Sequence, residues 1–152
     1  MDIVPYRSAH AEAWRTLNEA WITRLFAVEA KDREVLDDPQ GAILAKGGRI
    51  FMAEAPDGAA IGCAALIALP DGGYEVAKMT VAEGLRGGGL GKRLMQACVE
   101  AARSAGAPRL YLETNSGLAP AIALYRSFGF RELDSAGSEY RRCDVWMELP
   151  LG

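Results

Sequence analysis

The sequence is poor in the residues that mark several functional classes. Among 152 residues there are one histidine and three cysteines. Cys63, Cys98 and Cys143 lie far apart with no C-x-x-C pair, and His10 has no second ligand at metal-binding spacing. Neither a metal centre nor a disulfide framework is expected, and the thiols read as buried or half-buried side chains in a reducing compartment. No stretch approaches the ~18–20 apolar residues of a membrane span. The opening MDIVPYRSAH lacks a basic segment followed by an apolar run, so no secretory signal is read and a cytoplasmic location is expected. An excess of positive charge is missing too: 17 Lys and Arg stand against 20 Asp and Glu, a net charge of −3. Nucleic acid is thereby disfavoured as a partner, because binding its phosphates requires a basic field. Cationic small molecules remain open.

Half of the residues are hydrophobic and 24% are charged, a composition that supports a packed core. Repeats, low-complexity tracts and linkers are missing, and residues 1–152 read as a single domain. From Ala9 to about Val28, Trp14, Leu17, Trp21 and Leu25 recur at helical spacing. A second short helix covers Lys31 to Leu36 and stops at Asp38-Pro39. Apolar runs at Ile43 to Ala45, Ile50 to Ala55 and Ala59 to Leu69 are separated by Gly47-Gly48, Pro56-Asp57-Gly58 and Asp71-Gly72-Gly73, and read as antiparallel strands joined by tight turns. Tyr74 to Val81 is a further strand. A helix from about Leu90 to Ser104 follows, with Gly106 at its C′ position. Then come a strand at Arg109 to Glu113, a helix at Ala119 to Phe128 and closing strands at Phe130 to Leu133 and Val145 to Leu149. The expected class is α+β, a mostly antiparallel sheet with a parallel βαβ crossover inside it, flanked by helices.

The 17 glycines are unevenly placed. Arg86-Gly87-Gly88-Gly89-Leu90-Gly91-Lys92 lies between a strand and the start of a helix. Glycines let several backbone N–H groups approach one ligand, the helix N-terminus adds partial positive charge, and Arg86 and Lys92 add full charges. This is an anion cradle suited to a pyrophosphate. The G-x-x-x-x-G-K-[ST] loop of NTPases fails twice, since Arg86 occupies the first glycine and Arg93 follows the lysine. The dinucleotide pattern G-x-G-x-x-G fails at Lys92 or Leu94, although Glu113 stands about where a ribose-binding acid would.

Arg86-x-x-Gly89-x-Gly91 resembles the acetyl-CoA loop of the GCN5-related N-acetyltransferase (GNAT) superfamily. Glu75 to Val81 is similar to the strand preceding that loop. Leu112 to Asn115, with Ala121-Ile122-Ala123-Leu124-Tyr125 and Phe128-Gly129-Phe130, is similar to the strand and helix following it. The resemblance covers about Tyr74 to Phe130, and the order of elements agrees over the whole chain. It implies direct transfer of acetyl from acetyl-CoA, a co-substrate used without metal, to an amine. On that basis the backbone of Met79, Thr80 and Val81 pairs with the pantetheine arm. The pyrophosphate lies on the segment Arg86, Gly87, Gly88, Gly89, Leu90, Gly91 and Lys92, and Asn115 and Ala121 contribute to cofactor binding. Tyr125 matches the tyrosine that protonates the departing sulfur; its alternative is a core tyrosine.

Strand alternation puts Glu75 on one face with Ala77, Met79 and Val81, where desolvation would suit a general base; a structural carboxylate or a solvent-borne proton are the alternatives. The N-terminal helices resemble the superfamily's variable acceptor cap. There Trp21, Glu29 and Asp32 are candidate acceptor-binding residues, and an acidic rim of Glu29, Asp32 and Glu34 would favour a cationic amine, unless it is only a solvated face. Arg141 or Arg142 in the cleft would instead favour an amine bearing a carboxylate. Isolated His10 reads as solvated surface. A small-molecule or amino-acid N-acetyltransferase is the expected function. A protein N-terminal or lysine acetyltransferase and a non-catalytic CoA sensor are the alternatives. The family resemblance allows a homodimer without fixing an interface.

Overall fold

The structure, a computed structural model, describes residues 1–85, 87–134 and 137–152. The chain runs β1 (Asp2–Pro5), α1 (Ala11–Leu25), α2 (Ala30–Asp37), α3 (Pro39–Ala42), β2 (Arg49–Glu54), β3 (Ala60–Ala68), β4 (Tyr74–Val81), α4 (Leu90–Ser104), β5 (Arg109–Thr114), α5 (Ala119–Ser127), β6 (Arg131–Leu133) and β7 (Val145–Pro150). The strands form one seven-stranded sheet in the order β1-β2-β3-β4-β5-β7-β6. Every adjacent pair is antiparallel except β4–β5. The mixed, mostly antiparallel sheet expected from the sequence is therefore present.

Two apolar cores sandwich the sheet. Leu90, Leu94, Met95 and Cys98 of α4 pack on one face with Leu66, Leu110 and Met147. Trp14 and Ile22 of α1 and Val35 and Leu36 of α2 pack on the other with Ile50, Met52 and Cys63. The fully buried line of α1 is Trp14, Asn18 and Ile22, four residues apart. Asn18 is tolerated there because its amide donates to the Trp14 carbonyl at 2.9 Å and accepts from the Trp21 indole at 3.1 Å. Leu25, expected on that stripe, is 48% exposed at the end of the helix.

Several expectations need correcting. Ile43 to Ala45 is not a strand. Pro39 opens α3, the Asp38 carboxylate caps it by accepting from the Gly41 N–H at 3.0 Å, and a 3₁₀ turn at Leu44–Lys46 ends on left-handed Gly47. Gly48 is no hairpin punctuation either, since a Cβ there would run into the Leu66 carbonyl and Ile43. Asp2–Pro5 forms an edge strand that the sequence did not announce. His10 is buried, accepting from the Arg7 N–H on Nδ1 at 2.9 Å and meeting Glu54 through Nε2 at 2.7 Å.

The change that matters most lies in β4. Lys78 adopts φ +54°, and opposite it the β3 register slips from Ala65↔Ala77 to Cys63↔Thr80. One extra residue is thus accommodated as a bulge, which reverses the alternation beyond it. Glu75 and Ala77 share a face with Thr80, not with Met79 and Val81; the latter two pack with Val76 against the α4 core.

Candidate active site

The parallel β4–β5 ladder holds only two residue pairs, Tyr74↔Leu110 and Glu75↔Tyr111, although the strands are eight and six residues long. Beyond it the strands part, and a cleft of about 430 Å³ opens between them. The β4 wall includes Glu75, Met79, Thr80 and Val81, and the opposite wall Asn115, Ala121 and Tyr125. Gly87, Leu90 and Gly91 border the mouth, with Trp21 on the side of α1. Most residues singled out from the sequence therefore come together. Gly88, Gly89 and Lys92 lie in the exposed turn and first helical turn beside them. Arg86 falls outside the described residues.

The turn owes its shape to Gly89, whose φ of +82° would strain any residue with a Cβ and which serves as the N-cap of α4. Gly91, in the first turn of α4, faces Leu124 of α5, which a Cβ there would meet at an ordinary contact distance of 3.6 Å. The fifteen-residue α4 directs its unsatisfied N-terminal amides toward the mouth, a fitting end for an anion.

Opposite the mouth, residues 137–144 border the split and tie to the N-terminal helices. The Arg142 guanidinium donates to both oxygens of Asp32, at 2.8 and 2.7 Å, and to Glu29 at 3.3 Å. Lys78 Nζ donates to Asp32 and to the Tyr140 hydroxyl, both at 3.0 Å. The Tyr140 ring lies 4.4 Å from each of the Lys78 and Arg142 cations. Burial would raise the Asp32 carboxyl, but the Arg142 hydrogen bonds, the Lys78 charge and the Glu29 N–H hold it down at about 2. Asp32 is thus no part of an acidic rim: its side chain is 0% exposed and committed to two cations. Glu29 is spent on the same strap, also accepting from the Arg141 N–H at 2.9 Å. Arg142 does enter the cleft, whereas the Arg141 side chain is exposed. Lys78 was missed from the sequence, and the signal available for it was a lone cation inside an apolar strand.

Glu75 has no hydrogen-bond partner among the described residues, and burial followed by the neighbouring Glu113 charge pushes its carboxyl up to about 7. Glu75, Ala77, Glu113 and Tyr140 also line a second, more polar cavity of about 690 Å³ under α2 and α3, so the two cavities share a wall at Glu75. Glu113 accepts from the Tyr111 hydroxyl at 2.9 Å and from the Ser138 hydroxyl. Half-buried Tyr125 packs edge-on against Phe130 with centroids 6.0 Å apart, and burial pushes its phenol up to about 12. The Asn115 amide donates to the Arg142 carbonyl at 2.6 Å and accepts from the Gly117 N–H at 2.8 Å, which leaves one N–H and one lone pair unspent. Cys63 and Cys98 are buried and Cys143 lines the cleft half-buried.

Residues 7–130 match the Acetyltransferase (GNAT) family. The chain is 41% identical over 110 residues to the IAA acetyltransferase of Azospirillum brasilense, an alignment covering 71% of this chain and 72% of that protein. Its fold superposes on an acetyltransferase of the GNAT family from Staphylococcus aureus Mu50 with a TM-score of 0.90, at 21% identity over 99% of each chain. A phosphinothricin acetyltransferase of the GNAT superfamily from Sinorhizobium meliloti, solved with AcCoA, gives a TM-score of 0.79 at 19% identity, covering 99% of this chain and 88% of that one. Both structural likenesses are likenesses of fold.

Proposed function

The chain belongs to the GNAT acetyltransferase family and is an acyl-CoA-dependent N-acetyltransferase, and we propose that it acts on the primary amine of a small molecule or amino acid with acetyl-CoA as donor. The observation that carries this reading is the presence of Glu75 and Tyr125 on the walls of one cleft with the N-terminus of α4 at its mouth. Small-molecule acceptors are favoured by the kind of relative the chain resembles, an IAA acetyltransferase by name.

The residues present fit acetyl-CoA. The cleft of about 430 Å³ is lined largely by apolar surface, which suits a pantetheine arm, while left-handed Gly87 and Gly89 and the α4 amides suit a pyrophosphate. Lys92 in the first turn of α4 adds a full charge to those amides, and Asn115 keeps one N–H with which to hold the arm. When bound, acetyl-CoA supplies a thioester carbonyl open to attack. The transfer forms an amide C–N bond and breaks the C–S bond; the amine gives up a proton and the thiolate takes one.

Glu75 is the candidate acceptor of the amine proton, directly or through water. Among the described residues none donates to its oxygens, and a carboxyl near 7 is half ionised at working pH. Tyr125 is the candidate donor to sulfur. With its phenol at about 12 it keeps its proton throughout the neutral range, which suits a donor and not a base. The bulge at Lys78 turns Glu75 away from Met79 and Val81, toward the second cavity, and so supports acceptor entry from that side.

The test is thiol release from acetyl-CoA across a panel of amines, amino acids and peptides, run beside Tyr125→Phe. Acceleration by small amines, lost in Y125F, is the expected result. Acceleration by peptides alone would move the assignment to protein acetylation. Binding of acetyl-CoA without acceleration by any acceptor would leave a CoA sensor.

A further inference from the structure

Charges around the wall shared by the two cavities are unevenly matched. Lys78 and Arg142 are neutralised by Asp32 and Glu29. Arg24 pairs with Glu83 at 3.6 Å, and Lys31 pairs with Glu34 and Glu139 at 3.2 and 3.5 Å. Among the described residues the two carboxylates at the wall have no such partner. Among the described residues the Glu75 carboxylate accepts no hydrogen bond, and the Glu113 carboxylate accepts only from neutral hydroxyls, those of Tyr111 and Ser138. The pairing Glu75↔Tyr111 across the parallel ladder sets Glu75 beside Tyr111, and Glu113, two residues on, has its side chain on the same face. Hydroxyl donors carry no charge with which to offset that of the Glu113 carboxylate.

We propose that Glu113 is a specificity-determining residue of the acceptor site: with Glu75 it meets the incoming ammonium with two carboxylates that no cation holds, and it repels amines that carry a carboxylate beside the amino group. The proposal rests on Glu75 being the acceptor-side base. It narrows the substrate class to amines lacking an adjacent carboxylate, because the guanidinium that could have received one, that of Arg142, is already filled by Asp32 and Glu29. A like charge set against an acceptor carboxylate at this half-buried wall is an effective way to reject it.

The groups that face Glu75 all bear on its titration. Glu113 on β5 and Glu139 between β6 and β7 oppose its ionisation, while Lys78 on its own strand and Lys31 on α2 favour it. Tyr111 and Tyr140 remain neutral there, each held above its ordinary value, first by burial. Glu113 leads the neighbouring charges acting on Glu75, so removing it has a titration signature that lost packing alone would not produce.

The experiment measures kcat/KM for matched pairs differing only by the carboxylate, agmatine against arginine and histamine against histidine, with wild type, Glu113→Gln and Glu75→Gln. Wild type is expected to prefer the amine of a pair by about tenfold or more, and E113Q to narrow that ratio by a similar factor. E113Q is also expected to move the ascending limb of the pH profile to lower pH. Equal use of amine and amino acid by wild type would overturn the proposal, and this result does not depend on E113Q folding. An E113Q enzyme with unchanged ratio and unchanged limb would overturn it as well. Retention of the limb in E75Q would remove the base reading and this proposal together, as would loss of turnover in E113Q with E75Q active, which would make Glu113 the proton acceptor.

Discussion

Asp32 and Arg142 meet through two parallel N–H···O bonds across 110 positions of sequence, with the Asp32 side chain entirely out of solvent. This planar fork is the strongest geometry available to an arginine and a carboxylate. It fixes residues 137–144 beside the split in the sheet, and with them the position of Tyr140 at the wall between the cavities.

Asp32→Asn leaves buried Lys78 without its counter-charge and half-buried Arg142 with Glu29 alone. A stability loss of about 3–5 kcal/mol is expected, read from denaturant unfolding. The sign with pH follows from the direction of the shift. Asp32 titrates at about 2 when folded, below its ordinary 3.8, so its stabilisation is complete above about pH 4 and lost as the pH falls through 2. In D32N that acid-side loss should shrink. An unaltered acid unfolding curve would show that the pair contributes nothing net.

Glu75 has the opposite sign. Its folded value of about 7 lies above the ordinary 4.5, so its contribution to stability is present below about pH 4.5 and lost as the pH rises through 7. Glu75→Gln should therefore melt higher than wild type at pH 8 while losing the ascending limb of kcat/KM near pH 7. A variant less stable than wild type at pH 8 would mark Glu75 as a structural carboxylate.

For Tyr125→Phe, kcat should fall roughly 10²-fold or more with acetyl-CoA affinity retained, the magnitude expected when a proton donor is removed. Because burial holds the phenol at about 12, no descending limb below pH 10 should belong to Tyr125. An unchanged kcat would return it to the core contact it makes with Phe130.

Gly89 tests the anion cradle. Left-handed backbone at φ +82° costs a residue with a Cβ about 1–2 kcal/mol, and the exposed site has room for a side chain. Gly89→Trp should weaken acetyl-CoA binding at least tenfold, measured by calorimetry, while the domain stays folded. Unaltered affinity would sink the cradle.

What could be read from the sequence divides along the range of the interactions involved. The Gly87-to-Gly91 turn, the α4 stripe and Gly106 after it are local, and residues a few positions apart dictate them. Ile43 to Ala45 misled because a three-residue apolar run has no period of its own, and the cap at Asp38 decided the matter. The faces of β4 could not be read correctly without the bulge at Lys78, a residue whose partner is tertiary: it reaches Asp32, 46 residues away. The strap was hidden for the same reason. Nothing near Arg142 in the sequence points to Asp32, and the acids of that helix read as surface until burial showed otherwise.

The distance along the chain between Asp32 and Arg142 also bears on how the protein is made. During synthesis the N-terminal helices and the first four strands emerge with their mostly local antiparallel pairings available. A carboxylate destined for complete burial then waits, with Lys78 as its one partner cation so far, until the chain has grown through Arg142, 110 positions later. Strand β7 emerges just after Arg142 and must slide between β5 and the already synthesised β6. The strap beside the split can thus close only after Arg142 has been synthesised, and a ribosome-bound fragment ending before Arg142 would carry the glycine turn at the start of α4 without it.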